Sequence, residues 1–233
     1  MLGRVLVIGG SSGIGFATAR LAAEAGADVT IASRSQARIE AALTRLPGGV
    51  AGQALDLTDA EAVTSFFGST GAWDHVVVTG SDVQIGPVRS HPLARARAAF
   101  DSKFWGFYHV ARSAEIRPGG SLGVVTGFLA RRPAAGRALM GAINGALESL
   151  VQGLALELKP VRVNAVSPAM VDTEMWQGLA PADREAALAR AAAAYPSGRV
   201  GQPEDIARML LLLAETPYAT GSVVTLDGGA SIA

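Results

Sequence analysis

Near its N-terminus the chain reads Val5-Leu6-Val7-Ile8-Gly9-Gly10-Ser11-Ser12-Gly13-Ile14-Gly15. The first four residues predict a strand that is buried on both faces, because apolar residues follow one another without polar alternation. The glycines permit a tight turn and let the backbone approach a pyrophosphate, which the free amides at a helix N-terminus then hold. The pattern therefore predicts a strand, a phosphate-binding turn and a helix. The residues of this predicted site are Gly9, Ser11, Ser12, Gly13, Ile14 and Gly15.

The rest of the chain alternates short β-branched runs with Ala-rich stretches of helical period. Strands are predicted at 5–8, 29–32, 52–55, 75–79, 122–126, 161–166 and 223–226. Helices are predicted over 14–25, 36–46, 60–67, 93–114, 139–158 and 204–214. This alternation predicts an α/β fold, a Rossmann-type doubly wound parallel sheet of about seven strands with helices on both faces. We expect residues 1–233 to form a single domain with a small helical insertion near 174–198.

The composition argues against several classes of function. Lys+Arg and Asp+Glu number 20 each, whereas binding to nucleic acid or to an anionic membrane needs a basic surface. The chain has no Cys, which excludes disulfides, thiolate metal sites and a cysteine nucleophile and fits a reducing cytoplasm. The first apolar run is too short to span a membrane and lacks a basic leader. We therefore expect a cytoplasmic protein without a metal, nucleic-acid or membrane partner.

The glycine loop resembles that of the short-chain dehydrogenase/reductase family, and the match continues along nearly the whole chain. Asp56-Leu57 resembles the family's adenine-contacting segment, and 161–168 resembles the strand that leads to the nicotinamide. Val171-Asp172-Thr173 resembles the segment that holds the carboxamide. The resemblance implies a nicotinamide cofactor, a small-molecule substrate and a homo-oligomer, either a dimer or a tetramer. It adds to the cofactor site the residues Asp56, Leu57, Gly80, Asn144, Pro168, Val171 and Thr173.

The end of the second predicted strand, Ile31-Ala32-Ser33-Arg34, indicates which nicotinamide cofactor binds. An NAD site usually places an Asp or Glu there, where it accepts hydrogen bonds from the ribose hydroxyls. This stretch holds no carboxylate, and the planar guanidinium of Arg34 is suited to grip a 2′-phosphate, with Ser33 as a further donor. NADP(H) is therefore the predicted cofactor. The alternative is that Arg34 merely begins a solvated helix.

The residues that carry the family's usual proton transfer are absent. The family uses a Tyr, a Lys four residues later, a Ser thirteen residues before the Tyr, and an Asn on the preceding long helix. None of the 3 tyrosines has a Lys four residues after it. Alignment on the flanking pattern places Met140 at the Tyr position, Asn144 at the Lys position, Gly127 at the Ser position and Lys103 at the Asn position.

Lys and Asn have thus exchanged places between the two helices. We hypothesise that Lys103 supplies the ammonium and Asn144 the ribose hydrogen bonds, and Thr126 is the hydroxyl nearest to the missing Ser. These three are the candidate catalytic residues. A solvated helix lysine is the alternative for Lys103, and a purely structural hydroxyl is the alternative for Thr126. Arg131-Arg132, after the fifth strand, either attract an anionic substrate or form a surface pair.

Two functions fit this pattern. The first is an NADP(H)-dependent oxidoreductase that transfers hydride to or from a small carbonyl or imine substrate by an altered proton path, since hydride chemistry resides in the cofactor. The second is a catalytically inactive NADP(H)-binding sensor or structural partner protein, because a fold alone does not guarantee activity. Lys103→Met discriminates between them, since an enzyme that uses this lysine loses turnover and retains NADPH binding.

Overall fold

The computed structural model describes residues 2–80, 82–84 and 86–233. The strands are β1 (Arg4–Ile8), β2 (Asp28–Ser33), β3 (Ala51–Ala54), β4 (Trp73–Val78), β5 (Ile116–Val125), β6 (Arg162–Pro168) and β7 (Val223–Leu226). The α-helices are α1 (Gly13–Glu24), α2 (Gln36–Leu43), α3 (Ala60–Thr70), α4 (Leu93–Phe100), α5 (Gly106–Ser113), α6 (Ala138–Glu157), α7 (Pro181–Ala194) and α8 (Pro203–Glu215). A π-helical turn, Asp101–Trp105, joins α4 to α5, and 3-10 turns occupy Phe128–Ala130 and Glu174–Trp176.

The described strands form one parallel sheet in the order β3-β2-β1-β4-β5-β6-β7. In β1, Val5 lies beside Val29 of β2 on one side and beside His75 of β4 on the other. The predicted fold class is confirmed. The strand order reverses between β1 and β4, and in such sheets ligands bind beyond the carboxyl ends of the strands at this reversal.

Helices cover both faces of the sheet, which explains why β1 shows no polar alternation. Leu6 and Ile8 pack on one face in a cluster that includes Phe107 of α5. Val5 and Val7 pack on the opposite face in a cluster that includes residues of α1 and α2. Val5, Leu6, Val7 and Ile8 are all buried, so these four side chains of β1 leave water when the chain folds.

Side-chain caps define where several helices begin. The Ser35 side chain accepts a hydrogen bond from the backbone at the start of α2, and Asp59 does the same at the start of α3. At the start of α8, the Gln202 backbone amide donates to Oδ2 of Asp205 at 2.8 Å, and Pro203 is the first helical residue. These residues satisfy amide groups that have no partner within the helix, and so they define the helix starts.

The structure differs from the sequence-based expectation in two elements. β5 begins at Ile116 rather than at 122, and its pairing with β4 shifts register after Trp73, between Ile116 and Ser121. Pro118 lies in this shifted stretch and has no amide hydrogen for the ladder. The helix expected over 93–114 is present but is divided by the π-helical turn at Asp101–Trp105.

The segment expected as a helical insertion near 174–198 contains the Glu174–Trp176 turn and α7. No residue of α7 is buried. Two side-chain contacts join it to the segment after β6: the ion pair of Arg184 with Asp172, at 2.5 Å, and a hydrogen bond at 3.2 Å from the Met170 amide to the Tyr195 hydroxyl. α7 therefore rests on the surface rather than in the core.

Among the described residues, α6 is the one helix whose length and composition would allow it to cross a membrane. Core helices of globular folds have the same properties. Here Ile143, Leu147 and Val151 of α6 are fully buried in the cluster that also contains Leu6 and Ile8 of β1.

Candidate functional site

A cleft of about 770 Å³ opens at the carboxyl ends of β1 to β4, and most of the predicted cofactor residues line it. Those residues are Gly9, Ser11, Ser12, Gly13, Ile14, Gly15, Ser33, Arg34, Asp56, Leu57, Gly80 and Thr173. The other three, Asn144, Pro168 and Val171, are buried and are not among the residues that line the cleft. Val171 instead pairs with Gly201 through an isolated bridge.

The glycine turn brings three backbone segments closer together than side chains would permit. Gly9 has a φ of +87°, and a Cβ there would collide with the backbone of Gly80. A Cβ at Gly15 would collide with the Gly9 backbone. The Ser12 side chain makes no capping hydrogen bond to α1. The amides at this helix start are therefore without a side-chain acceptor, as a phosphate site requires.

Polar and basic side chains gather at the end of the cleft beside β2. The Ser11 hydroxyl donates to the Ser33 hydroxyl at 3.0 Å, and Arg34 and Arg38 line the same cleft. Arg38 was not predicted from the sequence, although it follows Arg34 by four residues and lies near it at the start of α2. Asp82 was not predicted either, and its Oδ2 lies 3.1 Å from Nη2 of Arg34. No local pattern identifies that partner, because the two residues lie far apart in the chain.

The three candidate catalytic residues lie close together. Thr126 follows the end of β5, Lys103 is in the π-helical turn, and Asn144 is in α6. The Lys103 ammonium donates to Oδ1 of Asn144 at 2.7 Å and to the Thr126 carbonyl at 3.1 Å. The Asn144 amide nitrogen donates to the Gly127 carbonyl at 3.2 Å, and Asn144 is 1% exposed. Lys103 is therefore held by protein acceptors rather than projecting from a solvated helix face.

The position of Lys103 depends on the π-helical turn that contains it. The preceding residue, Ser102, is 9% exposed and donates from its hydroxyl to the Asp82 carbonyl at 3.0 Å.

Although Lys103 is only partly buried as a whole residue, its ammonium lies deep in the protein, and this burial lowers the pKa of Lys103 to about 8. A proton can therefore leave or join this ammonium near neutral pH.

The residues that line the cleft beside β1 do not include Lys103, Thr126, Arg131 or Arg132. The Thr126 hydroxyl is buried and donates to Glu148 at 3.3 Å, so its contact with Lys103 is made by the backbone carbonyl alone. Arg131 lies 3.5 Å from Glu148 and donates to Thr225 at 2.6 Å. Arg132 donates to a backbone carbonyl near the C-terminus at 3.1 Å. Both arginines thus contact protein groups on the side of β7.

The replacement of the family's Ser by Gly127 has a steric reason. A Cβ at Gly127 would lie 2.7 Å from Nδ2 of Asn144, so a Ser side chain and this amide exclude each other. Met140, at the Tyr position, is partly buried and offers a thioether that neither donates nor accepts a proton at neutral pH. Ser81, which follows Gly80 after β4, lies outside the described residues. Within the described ranges no cluster of three or more His, Asp or Glu could hold a metal ion.

The chain is similar to known proteins both in sequence and in structure. A family model described as Enoyl-(Acyl carrier protein) reductase matches residues 9–231. The Short-chain dehydrogenase/reductase ATR9 of Stachybotrys chlorohalonatus is 32% identical, over 97% of this chain and 96% of that protein. The 3-oxoacyl-[acyl-carrier-protein] reductase FabG of Chlamydia muridarum is 30% identical, over 96% of this chain and 95% of that protein.

Two solved structures resemble this fold along almost its full length. A crystal structure of a small-chain dehydrogenase in complex with NADPH has a TM-score of 0.85 and 36% identity, with 99% of each chain covered. The structure of the MalC reductase/Diels-Alderase from Malbranchea aurantiaca has a TM-score of 0.90 and 29% identity, with 98% of this chain and 96% of that chain covered.

Proposed function

Because the chain belongs to the short-chain dehydrogenase/reductase family, whose members related to it are oxidoreductases, we propose that it is an NADP(H)-dependent oxidoreductase. Its reaction transfers hydride between the cofactor and a small carbonyl or imine substrate by an altered proton path. The observation that carries this proposal is the contact of the Lys103 ammonium with Asn144 at 2.7 Å. The two residue types have exchanged helices, and their side chains still meet.

The cleft fits a dinucleotide with a phosphate at its adenosine end. The turn that includes Gly9 and Gly15 leaves no room for side chains where the pyrophosphate would approach. Arg34 and Arg38 line the end beside β2 and supply two guanidinium groups for the 2′-phosphate. When bound, NADPH supplies the hydride. A relative of closely similar fold is described as a complex with NADPH, which agrees with this choice.

In the proposed reaction Lys103 takes over the acid function that the missing tyrosine has elsewhere in the family. Its ammonium holds a proton at Nζ, and burial lowers its pKa to about 8, which favours release of that proton. Asn144 and the Thr126 carbonyl accept hydrogen bonds from Nζ and so orient it. Thr126 therefore acts through its backbone. A substrate that is already cationic, such as a protonated imine, needs no proton from Lys103 for hydride transfer, whereas a carbonyl substrate needs one.

A catalytically inactive NADP(H)-binding protein is the second candidate. It is favoured by the loss of both hydroxyls that usually contact the substrate, at Met140 and at Gly127. This candidate retains the proposed cofactor site and makes no use of the Lys103 proton. The two functions therefore differ in turnover and not in cofactor binding.

The Lys103→Met variant separates the two candidates. We expect wild-type protein to oxidise NADPH with at least one member of a panel of ketones, imines and enones. Lys103→Met should lower that turnover about 10²- to 10⁴-fold, the range for loss of a general acid, while its NADPH dissociation constant stays close to that of wild type. Lys159→Met is the matched control, because Lys159 is the chain's other lysine and is exposed.

Two results would contradict the proposal. NADPH binding without oxidation by any substrate in the panel would favour the inactive binding protein. Equal NADH and NADPH affinities, unchanged by Arg34→Asp, would refute the choice of NADP(H).

A further inference from the structure

An ion pair crosses the mouth of the proposed cofactor cleft. Arg34 lies beyond the end of β2 and Asp82 in the segment that follows β4, and β1 runs between these two strands. Their side chains nevertheless meet at 3.1 Å, and both residues line the cleft. The contact therefore passes over the carboxyl end of β1, where the glycine turn begins.

The backbone of Asp82 is anchored, which keeps its carboxylate over the cleft. Its amide donates to the Ser102 hydroxyl at 3.2 Å, and that hydroxyl donates to the Asp82 carbonyl at 3.0 Å. Ser102 is itself buried in the π-helical turn beside Lys103. Asp82 is therefore attached at its backbone to the helix that carries Lys103 and at its side chain to Arg34.

The Arg34 guanidinium is the group that a 2′-phosphate would engage. Asp82 contacts the guanidinium through Nη2, so a phosphate that binds there either shares the guanidinium with the Asp82 carboxylate or displaces it, and the two anions repel each other. NADH has no phosphate at this place and leaves the ion pair intact. The ion pair therefore weakens the binding of NADPH and leaves the binding of NADH unchanged.

We propose that Asp82 is a specificity-determining residue that competes with the 2′-phosphate for Arg34 and so narrows the preference for NADPH over NADH. This inference rests on the proposed NADP(H)-dependent function. The side chains of Arg34 and Asp82 are 56% and 54% exposed, and an ion pair of that exposure changes an affinity by up to about fivefold.

The test compares dissociation constants for NADPH and NADH, measured by fluorescence titration, in wild type and Asp82→Asn. We expect Asp82→Asn to bind NADPH about two- to fivefold more tightly and NADH unchanged. The gain should shrink at high salt, which screens exposed charges. The gain should be smaller in the Arg34→Gln background, where there is no guanidinium to compete for and only the repulsion between the two anions remains. Glu157→Gln, an exposed carboxylate at the end of α6, controls for net charge.

The outcomes separate this inference from the function on which it rests. Unchanged NADPH affinity in Asp82→Asn, or an equal gain in the Arg34→Gln background, overturns the inference alone. Weaker NADH binding also overturns it, because Asp82 would then hold the ribose hydroxyls. If wild-type protein binds no NADPH, the proposed function fails and the inference fails with it. Thermal unfolding of each variant verifies folding, and Asp82→Ser replaces Asp82→Asn if the latter does not fold.

Discussion

The space beside Gly127 holds either the Asn144 amide or a side chain at position 127, but not both. The Asn144 amide fills the volume in which a serine side chain at 127 would stand, and it donates to the Gly127 carbonyl. The same amide presents its oxygen to Lys103. The exchange of Lys and Asn and the loss of Ser are therefore linked by packing.

Gly127→Ser should disturb this arrangement rather than restore the family's usual site. The new Cβ would lie 2.7 Å from Nδ2 of Asn144, and relief requires that the amide move away from Lys103. We expect a loss of about 1–3 kcal/mol in the free energy of unfolding, measured by urea denaturation. Gly153→Ser is the control, since a Cβ at Gly153 meets no atom within 4 Å. Equal stability of the two variants would contradict the steric argument.

The lowered pKa of Lys103 predicts a pH dependence in the reductive direction. An acid donates only while it is protonated, so kcat/KM should fall as the pH rises through about 8, the pKa of Lys103. The measurement is a rate profile from about pH 6 to about pH 10 with a non-titrating substrate. Lys103→Arg should lose this descending limb, because a guanidinium stays protonated throughout. A wild-type profile without the limb would contradict the assignment.

α7 is buried much less than the helices that cover the sheet. α6 has Ile143, Leu147 and Val151 fully buried, whereas no residue of α7 is buried. The contacts of Arg184 with Asp172 and of Tyr195 with Met170 join α7 to the segment after β6. That segment includes Val171 and so lies where the resemblance places the carboxamide contact.

Hydrogen exchange should reveal this difference between the two helices. We expect the amides of α7 to exchange in the native state much faster than those of α6, because local opening of α7 exposes little apolar surface. Hydrogen exchange followed by mass spectrometry, with and without NADPH, would give the exchange rates of the amides in α6 and in α7. Arg184→Gln should speed exchange in α7 and leave α6 unchanged. Equal protection of the two helices would contradict the expectation.

The exposed aromatic residues around the π-helical turn suggest a place for a second copy of the chain. Trp105 is 45% exposed and Tyr108 is 38% exposed, with ring centroids 5.6 Å apart. Phe107 is fully buried and belongs to the core. The family resemblance implies a homo-oligomer, and we expect the two long helices, here α4–α5 and α6, to form its interface.

We therefore expect the native mass of a dimer or a tetramer of the 23.8 kDa chain, measured by size-exclusion chromatography with light scattering. Trp105→Lys should shift the population towards monomer, because it places a charge in an apolar contact. Tyr218→Lys is the control, since Tyr218 is fully exposed and lies outside the long helices. A monomeric wild-type protein would refute this prediction.

Local patterns were sufficient for the fold and for most of the cleft. The uninterrupted apolar run of β1 indicated a strand covered on both faces, and the glycines after it indicated the turn, because both signals arise from neighbouring residues. The register shift in β5 and the π-helical turn escaped prediction, since both depend on how a strand or helix fits its neighbours. Arg38 could have been predicted from the sequence, because it follows Arg34 by only four residues.

The exchange of Lys103 and Asn144 was recognisable from alignment with the family pattern, and so was the absence of the tyrosine. The contact between these two side chains and the pairing of Asp82 with Arg34 could not be predicted, because both depend on the fold. These contacts join residues 41 and 48 positions apart, and each is made where separate strands or helices converge. Periodicity and turn chemistry are encoded within a few residues, whereas such distances arise only when the sheet assembles and packs its helices.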